Sequence, residues 1–186
     1  MNDIFNVRSS IEQLLEGRGG IKLDIGCGHN KHGLEWVGLD GQDLKGVDIV
    51  HDFNVHPWPL PDECVIQAIC SHVVEHIPPC VVTVEGTRFP FIEFMDEVWR
   101  IMLPDGQFAI SLPYGTSAGM LQDPTHVNFC NENTWLYFDP LESKANGTLY
   151  KFYQPKPWKL TNLFWDPTGN MEVLLTKRRE DKSYYE

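Results

Sequence analysis

With 186 residues, 42% of them hydrophobic, the chain fits one globular domain that buries roughly 70% of its unfolded surface, and no second domain is expected. Fifteen basic against 26 acidic residues give a net charge of −11, which repels a phosphate backbone and argues against autonomous nucleic-acid binding. No apolar run approaches the roughly 20 residues of a membrane span, and residues 1–10 carry charged and polar groups where a signal peptide needs an apolar centre, so no membrane association and a cytoplasmic location are expected.

The first element in chain order is a helix, predicted from apolar residues at Ile4, Val7, Ile11, Leu14 and Leu15 and closed by Gly17 and Gly19-Gly20. The alternation of Ile21, Leu23 and Ile25 then predicts a buried strand. It runs into Gly26-Cys27-Gly28, where two residues without Cβ let the backbone turn sharply and approach a ligand. A second strand, Trp36 to Asp40, ends on an acid suited to ribose hydroxyls. A dinucleotide fingerprint wants a third glycine where Lys31 stands and an acid about 20 residues further on; Asp40 arrives too early. The span from Gly26 to Trp36 is also too short for a full crossover helix, leaving a single turn around Lys31-His32-Gly33 or no helix at all. Little helix dipole is then available for a pyrophosphate, and the nearby acids favour a positively charged cofactor.

A third strand is predicted over Val47 to Asp52 and a fourth over Val65 to Ser71, whose apolar run reads as buried on both faces. Phe91 to Met102 carries a broad helical stripe, and Pro104-Asp105-Gly106 stops it before a fifth strand, Gln107 to Leu112. The loop that follows is long enough to suggest function, and it leads into a short helix from Glu132 to Phe138 capped by Asn131. Lys159 to Trp165 and Met171 to Lys177 flank a turn at residues 166–170 and read as an antiparallel hairpin. The basic run Lys177-Arg178-Arg179 reads as a solvated chain end. Core packing accounts for Trp99 and Trp165. Five cysteines without CxxC or regular spacing fit neither a disulfide framework nor a zinc knuckle, so free thiols are expected.

Six segments, in order, resemble the class I S-adenosylmethionine-dependent methyltransferases: Leu23-Asp24-Ile25-Gly26-Cys27-Gly28, Val37-Gly38-Leu39-Asp40, His51-Asp52-Phe53, Pro57-Trp58-Pro59-Leu60-Pro61-Asp62, Ser71-His72-Val73-Val74-Glu75-His76-Ile77 and Val98-Trp99-Arg100-Ile101-Met102-Leu103-Pro104-Asp105-Gly106. The resemblance covers residues 21–113. It continues into Gln122-Asp123-Pro124-Thr125-His126 and Thr134-Trp135-Leu136-Tyr137-Phe138, which look like a subgroup with a shortened first helix. It implies a single-domain α/β, Rossmann-like fold with a mostly parallel seven-stranded sheet and an antiparallel C-terminal hairpin. Residues 1–20 would form the N-terminal helix, 21–113 the cofactor-binding core, 114–140 the acceptor-side loop and helix, and 141–186 the hairpin.

The activity implied is methyl transfer from S-adenosylmethionine to an oxygen or nitrogen acceptor, most simply a small molecule. Its alternatives are a cofactor-binding adaptor without catalysis and a nucleic-acid methyltransferase that relies on a partner. The resemblance places Gly26 and Gly28 under the methionine and ribose, with Cys27 between them as a small buried filler. It places Asp24 at the α-amino group, Asp40 at the ribose hydroxyls, Asp52 at the adenine amine with Phe53 beside the ring, Trp58 in the adenine-side loop as the tryptophan that is a candidate for ligand contact, and Ser71 and His72 near the amino end and the sulfonium. Two departures stand out: Asn30 replaces the third glycine of the fullest pattern, and Asp105-Gly106 replaces a Gly-Gly.

Displacement at a sulfonium needs alignment and exclusion of water more than it needs a base. If a base acts, His72, His76 and His126 are the nominees, His72 and His126 ahead of His76. Tyr114, Asp123 and His126 are expected on the acceptor side. Glu75 and His76 read as local packing. A metal held by His72, Glu75, His76 and Cys80 is not expected, because Pro78-Pro79 breaks any helix that would align them.

Overall fold

The computed structural model describes residues 15–16, 19–142 and 152–185, so the helix predicted from Ile4 lies outside them except for Leu15. Nine strands lie among the described residues: β1 (Ile21–Ile25), β2 (Trp36–Asp40), β3 (Ile49–Val50), β4 (Val65–Ser71), β5 (Val81–Thr83), β6 (Gly86–Arg88), β7 (Met102–Pro113), β8 (Trp158–Trp165) and β9 (Asn170–Lys177). Seven of them form one sheet in the order β3-β2-β1-β4-β7-β9-β8. The pairs from β3 through β7 are parallel, and β7–β9 and β9–β8 are antiparallel. This is the mostly parallel sheet with a C-terminal hairpin that the sequence implies.

Register explains where the core sits. Leu23, Ala68, Phe108 and Leu175 lie side by side across four strands, as do Ile25, Cys70, Ile110 and Val173. Because side chains alternate along a strand, both rows share one face, and all eight residues are buried. Helix α1 (Pro90–Ile101) begins with proline at its first turn, where the missing N–H costs nothing, and its buried Phe91, Phe94, Met95, Val98 and Ile101 join the same core. Two short helices follow, α2 (Ala118–Leu121) and α3 (Glu132–Leu136). Asn131 caps α3 as expected, in a reciprocal box with Thr134.

Several expectations are corrected. Residues 26–35 contain no helix, which decides between the two possibilities left by the short crossover. The third strand shrinks to Ile49–Val50, since beyond it Asp52 turns back to accept from the Asn54 backbone N–H at 2.9 Å. Strand β4 is covered on one face only, and Ile66 is 42% exposed. The Pro104-Asp105-Gly106 turn does not precede the fifth strand but bulges out of it: pairing with β4 jumps from Val65–Met102 to Gln67–Gln107, with Asp105 at φ 64°. The β5–β6 hairpin had no clear signal in the sequence. Trp165 is 50% exposed and meets Tyr114 edge-on rather than filling the core.

The basic run is not a solvated end. Lys177 is buried, with its ammonium 2.7 Å from the Met102 carbonyl, 3.2 Å from Glu63 and 4.0 Å from the centre of the Trp99 ring. Arg178 pairs with Asp139 at 3.1 Å.

Asp96 of α1 accepts the Lys156 backbone N–H at 2.7 Å, and burial pushes its carboxyl up from 3.8 to about 6. A folded-state pKa above the unfolded value means the folded chain holds this proton more tightly. The resulting stability is full below about pH 4 and is lost as pH rises through 6. Asp96→Asn is therefore expected to be more stable than the wild type at pH 7 by about 2 kcal/mol, and level with it near pH 4. Urea unfolding of both chains at the two pH values reads this difference; a gap that does not change with pH would refute it.

Candidate functional site

The carboxyl ends of β1, β2 and β4 meet at a cleft of about 390 Å³. That volume lies within the roughly 300–1,000 Å³ typical of small-molecule sites. Its lining includes Gly26, Asp40, Phe53 and His72, each from the end of a different strand or the turn beyond it, together with Gln42, Asn54, Val73, His76, Ile77 and Pro78. Ligands of open α/β sheets bind in this position, past the strand ends.

The glycine turn is required by both conformation and space. Gly26 has φ 72°, and a Cβ there would lie 2.1 Å from Cγ2 of Val73. Gly28, at φ 53°, has nothing within 4 Å of a Cβ position, so only its backbone angle asks for glycine. Asp40 ties this turn to the end of β2: one carboxylate oxygen accepts the Gly28 N–H at 2.9 Å and the other the Gln42 N–H at 3.0 Å. Asp24, buried, accepts the His32 N–H at 2.8 Å, and burial pushes its carboxyl above the usual range. Asp48 accepts from the Gly38 N–H at 2.7 Å and pairs with Lys31 at 2.6 Å. Three carboxylates thus hold a connection that has no helix.

Cys27 is buried between the two glycines, and its thiol is pushed up to about 11 by burial and by Asp24 and Asp40. It is not a nucleophile at neutral pH. Asp52 is exposed at the rim, where hydrogen bonds from the Asn54 backbone and side chain hold its carboxyl below the usual range. The Phe53 ring packs against Trp58 and Phe94, at 5.8 and 6.3 Å between centres. Trp58 is itself buried beneath Phe53, donating its indole N–H to the Phe53 carbonyl at 3.3 Å. It does not reach the cleft, so the expectation of a ligand contact is corrected.

Ser71 ends β4 beside Ser111 of β7. His72 follows at φ 56°, in the left-handed region that favours glycine, with its N–H on the Ser111 carbonyl at 2.9 Å. Its side chain is 52% exposed, with Nδ1 3.1 Å from Oε1 of the buried Glu75, whose hydrogen bond raises the His72 pKa.

The three residues expected on the acceptor side do not line the cleft. The Tyr114 hydroxyl donates to Glu132 at 3.1 Å. Asp123 closes a turn, accepting from the backbone and hydroxyl of Thr125 at 2.8 and 2.7 Å. His126 is largely buried and meets the His76 ring edge-on at 4.7 Å between centres, touching the cleft's border only through that ring. Sequence reasoning missed Gln42 and Asn54 as lining residues. Each lies two residues after an acid, Asp40 or Asp52, whose carboxylate accepts its backbone N–H, and that spacing is a usable signal. Two wider cavities, of about 640 and 610 Å³, lie away from the strand ends, one over the Glu97–Arg100 ion pair and one among Phe89, Phe91, Tyr137 and Tyr153. The first gathers Asp62, Glu93, Asp96 and Glu97 with Arg88, Arg100 and Lys156, and neither contains the glycine turn or the strand-end Asp40.

No family model matches the sequence, and no curated protein matches it. Solved structures do match. One is a SAM-dependent methyltransferase from Archaeoglobus fulgidus, 15% identical, aligned over 94% of this chain and 95% of that one with a TM-score of 0.53. Another is the antibiotic-resistance methyltransferase Kmr, 13% identical over 91% and 93% with a TM-score of 0.56. A third is the [4+2]-cyclase SpnF, 11% identical over 94% and 81% with a TM-score of 0.54. At these identities the likeness shows the fold, which is that of the class I methyltransferases. The cyclase among them illustrates that this fold alone does not fix the reaction.

Proposed function

We propose that the cleft binds S-adenosylmethionine and that the protein transfers its methyl group to an oxygen or nitrogen of a small-molecule acceptor. The observation that carries this reading is the Asp40 carboxylate, bound to the glycine turn and set at the end of β2 where no helix follows β1. A pyrophosphate would need the N-terminal dipole that residues 26–35 lack, whereas an adenosyl sulfonium carries hydroxyls and a positive charge that acids accommodate.

In this reading Asp40 keeps lone pairs free for the ribose hydroxyls beside the two N–H groups it already holds. Gly26 and Gly28 pass under the methionine, and Asp24 supports the turn at the amino end. Phe53 lies beside the adenine, with Asp52 at its rim. When bound, the cofactor supplies an activated methyl, so the chain's own task is to align the acceptor and keep water out. With Nδ1 engaged by Glu75, His72 presents Nε2 to the cleft as the group that takes a proton from a hydroxyl or ammonium acceptor. Methyltransferases of the same fold support the activity class.

Calorimetric titration of the full chain with S-adenosylhomocysteine and, separately, with NAD tests the cofactor. One-to-one binding of the first and none of the second is expected. The opposite pattern would overturn the assignment.

A further inference from the structure

The turn after β4 and the loop after β7 converge on a polar cluster of which the cofactor reading uses only the Glu75 oxygen that faces His72. Glu75 is fully buried. One of its oxygens faces His72, while Oε2 has no hydrogen-bond partner among the described residues, a costly state for a buried carboxylate. Beside it stand His76 and His126, and one donor atom from each of the three residues lies within 4.8 Å of the others.

The hydrogen bonds around the two rings fix their tautomers. The Thr125 hydroxyl has a single hydrogen and gives it to Asp123 at 2.7 Å, so toward His76 Nδ1, 3.0 Å away, it can only accept. His126 Nδ1 lies 3.1 Å from the Met120 carbonyl, which also only accepts. Assigned from this network, both rings carry their proton on Nδ1 and hold a lone pair on Nε2. Histidines that ligate metals are held in this way, with the second ring N–H given to a carbonyl or to an oxygen backed by a carboxylate.

We propose that Glu75, His76 and His126 form a binding site for one divalent transition-metal cation of the zinc class. Two imidazoles and one carboxylate suit such a cation, whereas calcium and magnesium prefer oxygen throughout. Donors on a tetrahedral zinc stand about 3.4 Å apart, so small rotations of these side chains close the set around an ion. The ion would also provide the partner that Glu75 Oε2 lacks. Three protein ligands leave a position open, and because His76 lines the cleft the site borders it. The cluster escapes a reading of local sequence because Pro78-Pro79 does prevent the helical arrangement considered there. The third ligand comes instead from the far loop, whose Val127 and Asn128 N–H groups dock on the Glu75 carbonyl at 2.8 and 3.0 Å.

Equilibrium dialysis of the metal-stripped full chain against Zn²⁺, with bound metal counted by mass spectrometry, tests the site without reference to any cofactor. One zinc per chain is expected for the wild type and for Cys80→Ser, which removes the exposed nearby thiol. His76→Ala and His126→Ala are expected to bind at least about tenfold more weakly, each checked for folding by circular dichroism. Wild-type protein loaded with Co²⁺ is expected to show the visible bands of a four-coordinate site without a thiolate charge-transfer band, a result that does not depend on any variant folding. Substoichiometric binding by the wild type, unchanged affinity in His126→Ala, or a thiolate band would each overturn the proposal.

Discussion

Asp40→Ala is expected to weaken S-adenosylhomocysteine binding by at least about 100-fold while leaving the chain folded, because it removes two charge-assisted hydrogen bonds worth about 1.5–3 kcal/mol each in favourable settings. The carboxylate acts twice. It organises the turn by accepting the Gly28 and Gln42 N–H groups, and in the proposed complex it receives the ribose hydroxyls. Asp40→Asn separates these roles, since an amide retains one acceptor oxygen but presents an NH2 to whichever N–H it loses. An intermediate affinity is expected for it. Calorimetry reads both variants, and circular dichroism confirms the fold. Affinity within threefold of wild type in Asp40→Ala would remove the ribose role and the strongest support for the cleft as a cofactor site.

The largest effect on stability is expected at Glu97, which lies far from the cleft's chemistry. Its two oxygens accept from Arg100 at 2.6 and 3.0 Å and from the Trp58 backbone N–H at 2.6 Å, and Arg100 extends the network to the Leu60 carbonyl and Asp62. Burial alone would raise the Glu97 carboxyl, but the Arg100 and Trp58 hydrogen bonds outweigh it and hold the pKa below the usual value. Stability from this group is therefore present above the unfolded pKa and is lost as pH falls through the lower folded one.

Glu97→Ala takes from a partly buried guanidinium its one buried carboxylate partner and leaves the Trp58 N–H without its acceptor, and is expected to cost about 3 kcal/mol. For a chain of this length that is a fall in Tm of about 6–12 °C. Glu97→Ala combined with Arg100→Met should cost less than the two changes summed, since the second removes the charge that the first leaves with only the exposed Asp62 as carboxylate partner. Thermal unfolding at pH 7 tests both, and a loss below about 1 kcal/mol for Glu97→Ala would show that solvent screens the pair.

What could be read beforehand depended on how local the determining interactions were. Strands β1, β2 and β4 and the C-terminal hairpin declared themselves through alternation and turn residues within a few positions of one another. The glycine turn declared itself too, because φ values near 72° and 53° select glycine whatever the surroundings. Exposure was less legible. Lys177 looks like part of a solvated basic run until β9 pairs with β7 and carries it under Trp99 beside the Met102 carbonyl. Trp165 looks like core until its strand proves to lie at the sheet edge. The meeting of His126 with Glu75 and His76 was beyond local reading for the same reason: two loops must first be docked by the parallel β4–β7 pair.

The three-acid support of residues 26–35 has a wider consequence. In a helical crossover the main chain satisfies itself, and its order is indifferent to charge. Here the Gly28, His32 and Gly38 N–H groups depend on the side chains of Asp40, Asp24 and Asp48. Loss of any one of these side chains would therefore loosen the floor of the cleft while the strands above it hold firm. An arriving cation would meet acids already committed to the fold, so ligand affinity and loop rigidity draw on the same charges and would rise and fall together.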